Sequence, residues 1–226
     1  MSLENLRYKC IILDHDDTAV NSTAGLHYPA HLEVMKKLRP DYEIISLDEW
    51  FLKNFDPGIM EYFKNELKFS DSEIDEEYRV WQEFITDKHP DFYPGFIDII
   101  REFKTAGGRV AVVSHSAKEI IKRDYERANA GDLPEIIFGW DKDLDKRKPS
   151  AYPVEQILKE FNLKPEDALI LDDLKPAVIM SANSGVQVAG AGWGHQIPEI
   201  ASYMKNNCHY YFHELKEFRD LLFNFV

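Results

Sequence analysis

The chain has 226 residues, 44% of them hydrophobic and 13% aromatic, enough to bury a substantial core as one domain with an insertion or as two small domains. Its 40 acidic residues outnumber its 27 basic ones, and the net charge of −13 argues against binding to nucleic acid or an anionic membrane, although not against a small anionic substrate. Two cysteines make no disulfide framework, and no apolar run resembles a transmembrane helix or a signal peptide, so we expect a cytoplasmic protein.

The first predicted strand ends in a cluster of acidic residues. Cys10 to Leu13 is a short apolar run, typical of a strand buried on both faces, and the chain continues as Asp14, His15, Asp16, Asp17 and Thr18. Ligands bind at the carboxyl ends of strands in open parallel sheets. Because two carboxylates this close raise each other's pKa unless a cation joins them, Asp14 and Asp16 predict a hard divalent metal. For this stretch alone, a solvated acidic turn is an equally good interpretation.

A helical insertion is predicted to follow, over residues 24–92. Apolar residues recur at helical spacing after Pro29 and around Met60, and Ser46 and Ser70 each begin a capping box before an apolar-faced stretch. The pattern gives about four helices and no convincing strand. We interpret the many aromatic residues of this segment as the core of the helices rather than as substrate contacts.

Beyond residue 92, predicted strands and helices alternate. The strands are expected at 109–113, 135–139, 168–171 and 186–189, with a weak strand at 210–212. The helices are expected at 95–104, 118–128, 152–161, 176–183, 197–205 and 214–223. Alternation of this kind predicts an α/β fold with a doubly wound parallel sheet and right-handed crossovers.

Polar residues follow two of the later strands. Strand 109–113 stops at Ser114, a hydroxyl beside a helix N-terminus that either binds a phosphoryl oxygen or, like Ser116, caps the helix. The strand at 168–171 stops at Asp172 and Asp173, and two buried acids are costly unless they meet a cation. Between these strands Lys148 precedes a helix in a lysine-rich stretch, where a single lysine is more often solvated than functional.

Together these residues resemble the motifs of the haloacid dehalogenase (HAD) superfamily, which consists mostly of Mg²⁺-dependent phosphotransferases. In chain order the matching residues are Asp14-x-Asp16-x-Thr18 for the first motif, Ser114 for the second, Lys148-Pro149 for the third and Asp172-Asp173 for the fourth. The four pieces occur in order, on the expected elements and over almost the whole chain, so a chance match is improbable.

Three positions depart from the family pattern. His15 replaces the usual apolar residue and Asp17 a frequent glycine, while Ala177 stands where the common variant of the fourth motif has a further acid. The missing acid leaves the role of Asp172 less defined. A single histidine is usually structural, so we expect His15 to pack outward from the loop and to titrate without consequence.

The resemblance also implies an architecture. It predicts a Rossmann-like core, residues 1–23 and 93–226, with strand order 5-4-1-2-3, and a helical cap, residues 24–92. The spacing agrees, because 96 positions separate Thr18 from Ser114 but only 24 separate Lys148 from Asp172, too few for a cap after the second motif. Such a cap is expected to close over the tip of the first strand, exclude water and choose the substrate.

The roles that the resemblance implies are those of a phosphatase with an aspartyl-phosphate intermediate. Asp14 is expected to be the nucleophile, Asp16 the general acid and base, and Lys148 the catalytic lysine that steadies both nucleophile and phosphate. The expected phosphate-binding residues are Thr18, Ser114, His115 and Lys148. The expected Mg²⁺ ligands are Asp14, Asp16 (through its backbone carbonyl), Asp172 and Asp173.

The predicted partner is a small phosphorylated metabolite, and we expect no binding to nucleic acid or to a membrane. The protein itself is expected to be a monomer or a homodimer. Phosphoglycolate, sugar phosphates and nucleotides stay open as substrates. One alternative is a phosphomutase of the β-phosphoglucomutase type, which uses the same pair of aspartates. Another is a catalytically idle member that binds a phospholigand or a protein, although such a chain should have lost Asp14 or Asp16. Dehalogenases are disfavoured because they lack an acid at the position of Asp16.

Overall fold

The computed structural model describes residues 6–223, which divide into two compact units. One unit contains the chain up to Val20 and from Phe92 onward, and the other is Asn21–Asp91. Residues 1–5 and 224–226 of the predicted core domain lie outside the described residues. That residues 24–92 act as a cap stays a prediction.

The first unit is built on a parallel sheet of six strands. These are β1 Cys10–Leu13, β2 Arg109–Val113, β3 Ile136–Phe138, β4 Ala168–Asp172, β5 Gln187–Ala191 and β6 Tyr210–Phe212. They lie in the order β3-β2-β1-β4-β5-β6, and every neighbouring pair is parallel. The predicted order 5-4-1-2-3 is therefore confirmed for five strands. It omitted the weak segment at 210–212, which pairs with β5 and extends the sheet by one strand.

Helices cover both faces of this sheet. They are α5 Phe96–Thr105, α6 Lys118–Arg127, α7 Tyr152–Phe161, α8 Lys175–Ser184, α9 Pro198–Asn207 and α10 Leu215–Phe223. Along β1, Ile11 and Leu13 pack into one buried apolar cluster, while Cys10 and Ile12 pack into another. Burial on both faces explains why β1 is a continuous apolar run rather than an alternating one.

The register of the sheet brings the polar strand ends together. Leu13 of β1 lies opposite Val112 of β2 and Leu171 of β4, so all three strands end at the same edge of the sheet. The backbone N–H of Asp14 donates to the carbonyl of Leu171 at 2.9 Å and extends this pairing by one residue. The residues that follow β1, β2 and β4 consequently begin at the centre of this carboxyl edge.

The second unit is helical. It contains α1 Tyr28–Leu38, α2 Leu47–Phe55, α3 Ile59–Glu61 and α4 Asp71–Ile85, with π-helical segments at Thr23–His27 and Tyr62–Glu66. Both predicted capping boxes are formed, by Ser46 with Glu49 and by Ser70 with Glu73. Its buried cluster includes Trp50, Tyr62, Phe63 and Phe69, in agreement with the interpretation of these aromatic residues as core. None of the helices within residues 6–223 is long and apolar enough to cross a membrane.

The two ends of the helical unit are neighbours. The N–H of Asn21 donates to the carbonyl of Asp91 at 3.0 Å, and the adjoining residues Val20 and Phe92 form an antiparallel bridge. The chain thus leaves the first unit and returns to it at almost the same place.

Candidate active site

Lys148 joins two of the strand-end aspartates. Its Nζ donates to Oδ1 of Asp14 at 2.6 Å and to Oδ2 of Asp172 at 2.7 Å, and all three side chains are buried. The neighbouring Lys142 and Lys146 are exposed. Burial disfavours the ammonium form of Lys148, but the two carboxylates outweigh this effect and raise its pKa above the ordinary value. Of these three lysines, the one predicted from the Lys-Pro pattern is the one placed among the acids.

Three carboxylates form a cluster with the geometry of a metal site. One oxygen each from Asp14, Asp172 and Asp173 lies within 4.8 Å of the other two, and all three residues are buried. Burial raises the pKa of each carboxyl, that of Asp14 to about 7, while the charge of Lys148 opposes the rise. A set of buried carboxylate oxygens fits a hard divalent cation such as Mg²⁺, whose charge would offset their mutual repulsion.

Asp172 has further contacts that motif spacing did not reveal. Its Oδ1 accepts a hydrogen bond from the backbone N–H of Leu174 at 2.9 Å, and its Oδ2 accepts from Lys148. Both oxygens are therefore held, one by the start of the loop after β4 and the other by the buried ammonium. This arrangement lets Asp172 fix the position of Lys148 as well as contribute to the acidic cluster.

The Asp16 side chain has a different partner. Its Oδ2 accepts a hydrogen bond from the hydroxyl of Ser116 at 2.5 Å, and the N–H of Ser116 donates to the hydroxyl oxygen of Ser114 at 3.1 Å. The helix that follows, α6, has Ala117 at its N-cap and no side-chain cap. The alternative that Ser114 or Ser116 caps this helix is therefore wrong, since both hydroxyls are engaged in the loop. Ser116 was not predicted as a site residue, although its hydroxyl, just after the end of β2, could have indicated such a role.

Thr18 and His115 were both predicted to bind phosphate. The buried Thr18 hydroxyl donates to Oδ1 of Asp173 at 3.2 Å. His115 is exposed, and its Nε2 lies 3.1 Å from the carbonyl oxygen of Lys148. Since a carbonyl oxygen only accepts, this contact places a proton on Nε2. Both residues lie beside the acidic cluster, one through Asp173 and the other through the Lys148 backbone.

The prediction that His15 packs outward is wrong. Its side chain is 1% exposed, and its Nε2 lies 3.1 Å from Oδ2 of Asp124, a residue of α6 that is equally buried. The ring also contacts those of Tyr125 and Phe92. The sequence around β1 could not show this, because the partner carboxylate lies more than a hundred residues away, on α6.

A loop that no motif marked also reaches the site. Following β5, the indole N–H of Trp193 donates to the carbonyl of Thr18 at 2.9 Å, and Nε2 of His195 lies 3.3 Å from Oδ2 of Asp173. Burial would lower the pKa of His195, but the Asp173 carboxylate outweighs it and raises the pKa above its ordinary value. The sequence did offer one indication of this loop, because it follows β5, which ends at the same edge of the sheet as β4.

Comparison with known proteins agrees with this geometry. The sequence model of haloacid dehalogenase-like hydrolases matches residues 11–191, a range that begins in β1, ends in β5 and contains Asp14, Lys148 and Asp173. A curated relative, the pyrophosphatase PpaX of Bacillus cereus, is 23% identical over 191 residues, which are 83% of this chain and 85% of PpaX.

Solved structures show the same fold. A haloacid dehalogenase-like family protein from Streptococcus pneumoniae superposes with a TM-score of 0.75 at 18% identity, covering 94% of this chain and 97% of that one. A protein described as a predicted phosphoglycolate phosphatase from Haemophilus somnus gives a TM-score of 0.75 at 18% identity, covering 95% and 96%. The match to the family model extends over most of the chain, and the chain belongs to the haloacid dehalogenase-like hydrolases.

Proposed function

We propose that the chain is a Mg²⁺-dependent phosphatase that hydrolyses a small phosphorylated metabolite through an aspartyl phosphate on Asp14. The observation that carries this proposal is the buried cluster in which Lys148 bonds Asp14 and Asp172 beside Asp173. The similarity to the pyrophosphatase PpaX and to a protein described as a predicted phosphoglycolate phosphatase supports phosphate-ester or phosphoanhydride hydrolysis.

Asp14 is suited to act as the nucleophile. It lies at the carboxyl end of the central strand, and the ammonium of Lys148, 2.6 Å away, favours its ionised form against the effect of burial. One carboxylate oxygen attacks phosphorus, and the bond from phosphorus to the leaving oxygen breaks. Lys148 then stabilises negative charge on the transferring phosphoryl group, and the hydroxyl of Ser114 donates a further hydrogen bond. Thr18 and His115 lie beside the site, but they already donate to Asp173 and to the carbonyl of Lys148.

Asp16 is suited to move the proton. Its carboxylate is fixed by the Ser116 hydroxyl, which donates to Oδ2 at 2.5 Å. Asp16 gives its proton to the leaving oxygen in the first step. In the second step it takes a proton from the water that attacks the aspartyl phosphate, which releases inorganic phosphate and regenerates the Asp14 carboxylate.

The carboxylates fit a divalent cation beside the nucleophile. Asp14 and Asp173 would hold Mg²⁺ through their side chains and Asp16 through its backbone carbonyl, with Asp172 adjoining them. When bound, the cation supplies positive charge that reduces the repulsion between the anionic nucleophile and the anionic phosphate. The helical unit, Asn21–Asp91, is proposed to select the substrate.

The test is a screen for release of inorganic phosphate. Pyrophosphate, phosphoglycolate, sugar phosphates and nucleotides are each incubated with the wild-type chain in Mg²⁺ or in chelator, and Asp14→Asn serves as the isosteric control. We expect release from at least one compound that requires Mg²⁺ and is absent in the variant. Release that persists in chelator and in Asp14→Asn would contradict the proposal, and an isomerised sugar phosphate in place of free phosphate would identify a phosphomutase.

A further inference from the structure

We infer that the loop Gly192–His195, here called the clamp loop, positions the metal site, and that His195 is a positioning residue for the carboxylate of Asp173. The inference rests on the proposed metal-dependent function and assigns a role to a segment beyond the range matched by the family model. Three contacts of this loop carry it, and each reaches a different part of the acidic site.

The first contact holds the loop that follows β1. The indole N–H of Trp193 donates to the carbonyl of Thr18 at 2.9 Å, and the hydroxyl of Thr18 donates to Oδ1 of Asp173 at 3.2 Å. Trp193 therefore fixes the backbone of the residue whose side chain holds one oxygen of Asp173.

The second contact is a close approach of two backbones. A Cβ added at Gly194 would overlap the carbonyl oxygen of Asp17, so only glycine lets the clamp loop pack this tightly against the loop after β1. Asp17 itself has a φ of 54°, in the left-handed region, which marks a sharply turned backbone at this point. Gly194 therefore packs against a turn in which the backbone of Asp17 already has a restricted conformation.

The third contact reaches the proposed metal ligand. Nε2 of His195 lies 3.3 Å from Oδ2 of Asp173, an ion-pair contact rather than an aligned hydrogen bond, and the two side chains are 4% and 3% exposed. Thr18 on Oδ1 and His195 on Oδ2 therefore flank both oxygens of one carboxylate. Among residues 6–223, the cluster of mutually close ligand atoms comprises Asp14, Asp172 and Asp173, so His195 acts through Asp173 rather than as a ligand itself.

The clamp loop is itself anchored in the sheet. The N–H of Gly192 donates to the carbonyl of Phe212 in β6 at 2.8 Å, and the Gln196 amide donates to the carbonyl of Gly192 at 3.3 Å. An anchored loop can restrain the rotation of a carboxylate, which a mobile loop cannot. Partners of this kind orient metal ligands, and their loss typically weakens metal binding by about 10–100-fold.

The experiment is a calorimetric titration of Mg²⁺ into the full chain without substrate. His195→Leu removes the contact to Asp173, His195→Gln restores an N–H donor, and His213→Leu replaces an exposed histidine as the matched control. We expect the dissociation constant to rise about 10–100-fold in His195→Leu, and to stay near the wild-type value in His195→Gln and in the control. Thermal unfolding in chelator establishes that each variant is folded.

The outcomes separate this inference from the proposed function. If the wild-type chain binds Mg²⁺ and folded His195→Leu binds it with the same dissociation constant, the role of His195 is overturned. The proposed metal site then still stands. A wild-type chain that binds no Mg²⁺ overturns both. Should His195→Leu not fold, His195→Gln carries the test, because a tenfold loss of affinity despite the retained donor contradicts the inference.

Discussion

The two units of the molecule differ in the charges that they bury, although each also buries aromatic groups whose polar atoms have no hydrogen-bond partner among the described residues, such as the hydroxyl of Tyr125 in the unit that contains the sheet. In the unit that contains the sheet, buried charges meet opposite charges, as Lys148 does with Asp14 and Asp172. In the helical unit, the ring nitrogens of His31, the indole nitrogen of Trp50 and the hydroxyl of Tyr62 are buried with no hydrogen-bond partner among the described residues. The rings of this second group pack on one another instead, His31 on Trp50 with centroids 4.1 Å apart.

The two kinds of buried group differ in what they cost to bury. Paired buried charges are expensive to assemble and often no more stable than an apolar replacement, so a function is the simplest reason to retain them. Neutral aromatic groups cost less to bury, because most of their surface is apolar and only one edge is polar. We therefore expect substitutions at the buried charges of the first unit to reduce catalytic activity most. Substitutions in the helical unit should change mainly the free energy of unfolding, and by a modest amount.

The largest effect is expected from Asp14→Asn. It removes the nucleophile while keeping the shape of the side chain, and Lys148 keeps Asp172 as a partner. Activity should fall by at least about 10⁴-fold, and acid-quenched samples should contain no phosphoenzyme by mass spectrometry. A phosphoenzyme detected in this variant would place the nucleophile elsewhere.

Asp16→Asn should have the next largest effect, and one that depends on the leaving group. With sugar phosphates, whose alkoxide must be protonated, the rate should fall by about 10²–10⁴-fold. With an aryl phosphate the first step should suffer much less, so stopped-flow traces should show a burst of phenol followed by a stall as phosphoenzyme accumulates. Equal losses on both substrates without a burst would assign the proton transfer to another group.

His15→Leu tests a buried polar contact of the residue that follows the nucleophile. It removes the partner of Oδ2 of the buried Asp124 and leaves Arg123, which pairs with Oδ1 at 3.0 Å. Leaving a buried charged group without one of its hydrogen-bond partners typically costs about 3 kcal/mol, to be measured by urea unfolding. The double variant with Asp124→Leu should recover part of the loss, and a double variant as unstable as the sum would argue against a direct coupling.

The helical unit should respond to pH through His31. Burial lowers the pKa of His31 from 6.5 to about 4, so the unfolded chain binds the proton more readily than the folded one. Stability is then fully present above pH 6.5 and falls as the pH drops toward 4, by about 3 kcal/mol in total. His31→Phe should lose this share of the pH dependence, and identical pH profiles for variant and wild type would contradict the assignment.

The smallest expected effect compares one hydroxyl from each unit. Tyr62→Phe removes a hydroxyl that has no partner among the described residues, so stability should be unchanged or rise by up to about 1 kcal/mol. Tyr8→Phe removes a hydroxyl that donates to Gln187 at 2.6 Å, and should cost about 0.5–1.5 kcal/mol. If Tyr62→Phe proved the more costly of the two, the contrast between a partnered and an unpartnered hydroxyl would fail.

The sequence predicted those features that depend on short-range pattern. Apolar runs located β1 and β2 at their observed bounds, and the helix at 152–161 was predicted at its observed bounds as well. Asp14, Asp172 and Asp173 were expected together because the resemblance to the family assigns all three to one metal site. The short strand β6 was underestimated because three residues at a sheet edge carry little periodicity.

What the sequence did not predict depends on contacts between distant segments. The pairing of His15 with Asp124, of Ser116 with Asp16 and of His195 with Asp173 joins residues from separate loops and helices. None of these partners is related by helical or strand spacing, so only the assembled sheet brings them together. The family pattern singled out Lys148, whereas its burial between two acids required the structure.

The adjacent ends of the helical unit have a practical consequence for engineering. Because Asn21 and Asp91 are already hydrogen-bonded neighbours, a donor segment with similarly spaced ends could replace the whole unit without stretching the chain. The entropic cost of closing the exchanged segment changes only with the logarithm of its length, by about 0.6 kcal/mol for each doubling. Chimeras made at this junction would therefore exchange the helical unit, which we propose selects the substrate, with little thermodynamic penalty from the graft itself.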